Sequence, residues 1–154
     1  MCAAKDISAK APSDREIVST HVFDAPRELV FKAWTDPDHL ARWWGPQGFT
    51  STFHEFDLRP GGLWRFVLHG PDGTDYQNKS VFREIVKPER IVFDHVSGPR
   101  FQVTATFTEE AGKTEVTFRM LFKTAAECDK VKTYAVQGDE QNFDRLAAHL
   151  ARMA

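Results

Sequence analysis

Two alternating segments joined by a short turn, and followed at once by a long helical one, constrain this chain more than any other feature. Phe101, Val103, Ala105 and Phe107 alternate with Gln102, Thr104 and Thr106. After Glu109-Glu110-Ala111-Gly112, Val116, Phe118, Met120 and Phe122 alternate with Thr117 and Arg119. A period of two across a tight turn places one apolar and one mostly polar face on an antiparallel pair. From Ala125 to Met153 the period changes. Val131, Tyr134 and Ala135 form one apolar cluster, and Phe143, Leu146, Ala147 and Leu150 form another at helical spacing, with Gly138 between them.

The preceding residues extend the same sheet. Ile17, Ser19, His21 and Phe23 alternate in a first strand starting near Arg15. Asp24 and Pro26 then open a helix carrying Leu29, Val30, Ala33 and Trp34. Pro37 forces a break and opens a second short helix with Leu40, Trp43 and Trp44. Strands are predicted over 50–58, 63–69, 76–86 and 90–96, separated by Gly- and Pro-containing turns. No helical stretch separates neighbouring strands after residue 50, which excludes a doubly wound parallel sheet. The fold class is therefore α+β: a curved antiparallel sheet of six to seven strands around a long C-terminal helix, with two short helices after the first strand. Residues 15–154 read as a single domain and residues 1–14 as a flexible N-terminal arm.

Seven strands at about 4.8 Å spacing span roughly 30 Å, whereas one helix is only about 10–12 Å across. A flat sheet would leave much of its apolar face wet. Curling it around the helix covers that face and leaves room for either an internal cavity or a solid aromatic core. The thirteen Phe and four Trp suit both.

An ordered series of motifs resembles a known family. Phe23-Asp24-Ala25-Pro26, Val30 through Pro37, Leu40 and Trp43-Trp44-Gly45-Pro46 carry its N-terminal part. Asp57-Leu58-Arg59-Pro60-Gly61-Gly62-Leu63-Trp64-Arg65, Gly70-Pro71-Asp72-Gly73 and Pro88-Glu89-Arg90-Ile91 continue it. The chain is similar to the domain homologous to the C-terminal part of the activator of the heat-shock-protein-90 ATPase, within the START-like superfamily. That resemblance implies a helix-grip fold, in which the sheet grips the last helix around a hydrophobic cavity. It also implies several roles, because such domains bind lipid-like ligands, catalyse cyclisation or act on protein partners.

A ligand-binding cavity would draw Trp64, Phe66, Phe101, Val103, Phe118 and Met120 from the sheet, and Trp44, Tyr134 and Phe143 from the helices. A buried Tyr134 phenol would need a partner and could orient a ligand. His54, Asp94 and His95 are the polar residues singled out within strands, with ordinary surface ion pairing as the alternative. His54-Glu55 does not continue into HExxH, and the six His show no metal-ligand spacing, so no metal is expected. No nucleophile elbow, GxGxxG or phosphate loop occurs, so no cofactor is expected and a binding role is favoured over catalysis.

Net charge is −2 with basic residues scattered among acids, which argues against a nucleic-acid partner. No apolar run reaches membrane-spanning length. Cys2 and Cys128 form no disulfide framework, and MCAAKDISAKAPSD lacks a secretory apolar region, so a cytoplasmic monomer or homodimer is expected. The leading expectation is binding of a hydrophobic small molecule. A co-chaperone or stress-related interaction domain, and a cyclase- or hydrolase-like enzyme, are the alternatives.

Overall fold

The structure, a computed structural model, describes residues 14–153. The expected arm therefore falls outside the described residues, apart from Asp14. In chain order the elements are β1 (Glu16–Phe23), α1 (Arg27–Thr35), α2 (Pro37–Trp43), β2 (Thr50–Phe56), β3 (Leu63–His69) and β4 (Asp75–Val86). They continue with β5 (Arg90–His95), β6 (Phe101–Glu110), β7 (Lys113–Leu121) and α3 (Ala125–Met153). The strands form one antiparallel sheet in the order β1-β7-β6-β5-β4-β3-β2. This is the curved, helix-backed α+β sheet that the alternation implies.

Local chemistry sets the helix boundaries. Asp36 has an extended backbone and accepts a hydrogen bond from the Asp38 N–H at 3.0 Å, capping α2 with Pro37 in its first turn. The Trp43 indole N–H donates to the Ala33 carbonyl at 3.0 Å, tying α2 back onto α1. Both tryptophans at this joint are buried, and the Trp34 and Trp43 rings meet edge-on at 5.0 Å.

Two register shifts reshape the inner face. Strict alternation in β2 would put Phe53 and Phe56 on opposite faces. A shift in pairing between Phe53 and Glu55 makes His54 an extra residue, so Phe53 and Phe56 stack at 5.9 Å and both contact Trp64. A second shift, between Phe82 and Glu84, lets Ile85 pair with Ile91, while the Glu84 carboxylate forms an ion pair with Arg90 at 2.7 Å. At the β2–β3 connection a side chain on Gly62 would collide with the Asp57 carbonyl, so the close backbone approach requires glycine.

The first helix is anchored to the sheet by one buried bond. Thr114 on β7 is fully buried, and its hydroxyl donates to the carbonyl of Ala25 at 2.7 Å. Thr114→Val keeps the shape and leaves that carbonyl unpaired, so it should cost about 1–3 kcal/mol. Urea denaturation should show the loss as a lower midpoint with an unchanged slope.

Candidate functional site: an aromatic cavity under the last helix

A cavity of about 530 Å³ lies between the inner face of the sheet, α3 and the loop that follows α2. Trp64, Phe66, Val103 and Phe118 form much of its floor, with Phe101 and Met120 beside them. Trp44 reaches down from the loop and meets Trp64 at a ring distance of 5.0 Å. Val131 and Ala135 close it from α3. Eight of the nine aromatic and aliphatic residues expected at a cavity therefore line this one.

Phe143 does not. It lies nine residues beyond Tyr134, about 13 Å along the helix, and is buried against His21, Phe23 and Phe118 instead. Tyr134 lines the cavity but is 59% exposed, so the expected buried phenol is a residue of the mouth. Val131 and Ala135 take the sheet-facing side of α3, which turns Tyr134 outward. Gly138 also stands at the mouth, where an added Cβ would rest 4.0 Å from the Pro46 ring.

The three polar residues singled out in strands separate sharply. His54 is the extra residue of the β2 shift and is exposed outside the cavity. Asp94 falls between the inward Phe93 and His95, so parity turns it to the outer face. There it accepts hydrogen bonds from Arg83 at 2.6 Å and Gln102 at 3.0 Å. His95 alone lines the cavity, stacked on Phe101 at 4.6 Å. Its Nδ1–H donates to the Pro99 carbonyl at 2.7 Å, and its Nε2 lies 2.8 Å from Asn78 Oδ1. Joining both oxygens takes two ring protons, whereas burial pushes the imidazole towards its neutral form. A neutral ring has one proton and serves one oxygen at a time, because turning the Asn78 amide over would set its Oδ1 against the Tyr76 carbonyl to which Nδ2 donates at 2.9 Å.

Two further polar features were not singled out from the sequence. Trp64 pairs with Ser80 across β3 and β4, and Ser80 pairs with His95 across β4 and β5. Trp64, Ser80, His95 and Phe101 thus form one transverse row on the inner face. The second feature is Asp139 on α3, which lines the cavity and accepts a hydrogen bond from the Ser19 hydroxyl at 3.2 Å. Burial pushes its carboxyl up to about 7 and the adjacent Glu140 adds to the rise, against the opposing effect of Ser19. Its sequence signal is the i, i+4 series Val131, Ala135, Asp139, Phe143, which puts an acid on the buried stripe.

Polar side chains of α3 also hold the mouth. Arg145 Nη1 donates to the carbonyls of Gly45 at 2.8 Å and Pro46 at 3.1 Å, and Nη2 donates to Arg42 O at 3.2 Å. Asn142 accepts from the Gly45 N–H at 3.1 Å, and Gln141 accepts from the Gln47 N–H at 3.2 Å. Among the described residues no group of His, Cys, Asp or Glu is arranged to hold a metal ion, and no helix is long and apolar enough to cross a membrane.

The architecture and cavity define a helix-grip, START-like domain. Residues 24–151 match the family model described as Activator of Hsp90 ATPase homolog 1-like protein, and the chain belongs to that family. Solved structures agree on the fold. A Rhodobacter sphaeroides protein is 23% identical with a TM-score of 0.86, covering 94% of this chain and 97% of its own. Protein Ms6760 from Mycobacterium smegmatis is 25% identical with a TM-score of 0.79, covering 88% and 90%. The AHSA1 protein from Silicibacter pomeroyi is 19% identical with a TM-score of 0.76, covering 90% and 99%. No curated protein matches the chain.

Asp139 sets a pH dependence with a definite sign. Its folded pKa lies above the ordinary 3.8, so between about 4 and 7 the folded chain binds more protons than the unfolded one. Stability from this group is therefore present at low pH and is lost as pH rises through 7. The displacement corresponds to at most about 4 kcal/mol. Asp139→Asn keeps an acceptor for Ser19 and removes the titration. It should match the parent near pH 4 and exceed its thermal midpoint by several degrees at pH 8, as measured by calorimetry.

Proposed function

We propose that this protein binds a small hydrophobic molecule, aromatic or lipid-like, in the cavity beneath α3. The observation that carries this reading is the cavity itself, whose volume of about 530 Å³ is bounded by closely packed aromatic rings. Ligand sites commonly occupy about 300–1,000 Å³ and combine an apolar lining with a few polar groups. Packing alone would favour filling such a space, because a buried void costs about 24 cal/mol per Å³. The family's superfamily setting, in which small-molecule and lipid binding recurs, points the same way.

The catalytic alternative has one specific observation behind it. Asp139 sits on the cavity wall and titrates near neutrality, a property suited to a general acid or base. Turnover of a bound compound that follows a pKa near 7, and is abolished in Asp139→Asn, supports that alternative. Recovery of every bound compound unchanged counts against it. Chaperone activation, the activity named in the family description, is tested by adding this chain to a chaperone ATPase assay.

Native mass spectrometry of gently purified protein, followed by a screen of lipids and fused-ring aromatics, tests the binding reading. Ala135 is buried on the cavity side of α3, where an indole would occupy the space. Ala135→Trp should reduce affinity at least about tenfold, the effect of losing about 1.4 kcal/mol of burial. A parent protein that carries nothing and takes up nothing from the screen overturns the reading.

A further inference from the structure

Two donors on the sheet side of the cavity lack an acceptor, and that shortage narrows the chemistry of its occupant. Trp64 and Ser80 are direct cross-strand partners on β3 and β4, and both line the cavity. They are 1% and 0% exposed. Among the described residues, neither Trp64 Nε1 nor Ser80 Oγ has a hydrogen-bond partner. An indole nitrogen can only donate, and a hydroxyl donates one proton. Leaving such a group buried and unpaired costs about 1–3 kcal/mol.

The surroundings do not relieve this shortage. Trp64 is packed among the rings of Trp44, Phe66, Phe82 and Phe93, which bring it no oxygen. Asn78 directs its amide to His95 and the Tyr76 carbonyl, while the Pro99 carbonyl is taken by His95. Directly opposed side chains on neighbouring strands have Cβ atoms about 4.5–5.5 Å apart. The two residues therefore stand side by side on the inner face of the sheet.

The charge of the cavity selects the kind of oxygen. Among the described residues its lining contains no Lys or Arg, so a carboxylate or phosphate buried there would meet no Lys or Arg partner from them. Asp139 on the facing helix further disfavours an anion. We infer that the occupant is a neutral, largely aromatic compound bearing a carbonyl oxygen, which accepts hydrogen bonds from the Trp64–Ser80 pair while its rings fill the aromatic remainder. This inference rests on the ligand-binding reading above and adds an orientation and a chemical class to it.

Fluorene and 9-fluorenone provide a matched pair of rigid, three-ring probes, since the second replaces a methylene with a carbonyl. Equilibrium dialysis gives the dissociation constant of each for the parent chain, Ser80→Ala, Trp64→Phe and the double variant. The ratio of the two constants cancels shape changes that affect both probes equally. Relative to the parent, the ratio should shift against fluorenone in each single variant, and by about tenfold in the double variant. Ser80→Ala should also retain or raise the thermal midpoint of the unliganded protein, because it removes an unpaired buried hydroxyl. A ratio unchanged across all four proteins, with both probes bound, overturns the carbonyl inference and leaves the cavity reading intact. Binding of neither probe to the parent overturns the carbonyl inference, while the cavity reading falls only if the wider screen of lipids and aromatics is also blank.

Discussion

The width of the sheet against the width of one helix is the constraint from which the rest of this structure follows. Seven strands present an apolar face that α3 cannot cover alone. The helix lies over the β1 edge, where Asp139 accepts from Ser19 and Phe143 packs against His21 and Phe23. Strands β3 to β5 lie towards the opposite edge of the sheet and are covered in another way. Trp44 reaches from the loop after α2 to Trp64 and Phe66, extending the aromatic layer where no helix backbone lies. The cavity is the space left between these two coverings.

That space keeps its shape because its roof is tied polar group by polar group. The loop after α2 has no regular backbone pairing of its own, and α3 supplies what it lacks through Arg145, Asn142 and Gln141. One guanidinium closing on consecutive carbonyls gives more directional restraint than an apolar contact of the same size, since its donors lie in a fixed plane. The side of α3 that faces the loop is polar for this reason, while Val131 and Ala135 stay apolar over the sheet. One helix thus serves as cavity wall and as anchor for the cavity's entrance.

Much of the fold was legible because its determinants are local. Alternation in β6 and β7, Pro37 at the helical break and the turn residues between strands each act over a few residues, and β3 and α3 begin and end where those signals place them. The register shifts were not legible. Phe53 and Phe56 have a spacing that fits opposite faces, and only pairing with β3 reveals the extra residue at His54. The same limit separated the polar candidates: parity within β5 was enough to distinguish Asp94 from His95, once Phe93 was known to face inward. Ser80 was hidden because a lone serine in a strand carries no sign of its partners. Asp139 was different. An acid on an otherwise apolar helical stripe is visible in the sequence, although its proton equilibrium depends first on burial in the fold and then on Ser19, 120 residues away.

Stability and site chemistry pull apart inside this cavity. Stability of a domain this size is commonly about 5–15 kcal/mol. An unpaired buried donor costs about 1–3 kcal/mol, so Trp64 Nε1 and Ser80 Oγ together weigh appreciably against that total. Valine at position 80 or phenylalanine at position 64 would preserve the apolar pattern without the polar cost. Asparagine at position 139 would likewise keep the Ser19 contact without holding a carboxyl near neutrality. These three groups lie on facing walls of one space, whereas Thr114, equally buried on β7, has a close partner at 2.7 Å. Packing explains the rings around them. It does not account for the donors of Trp64 and Ser80, whose cost an occupant that accepts from that wall would offset.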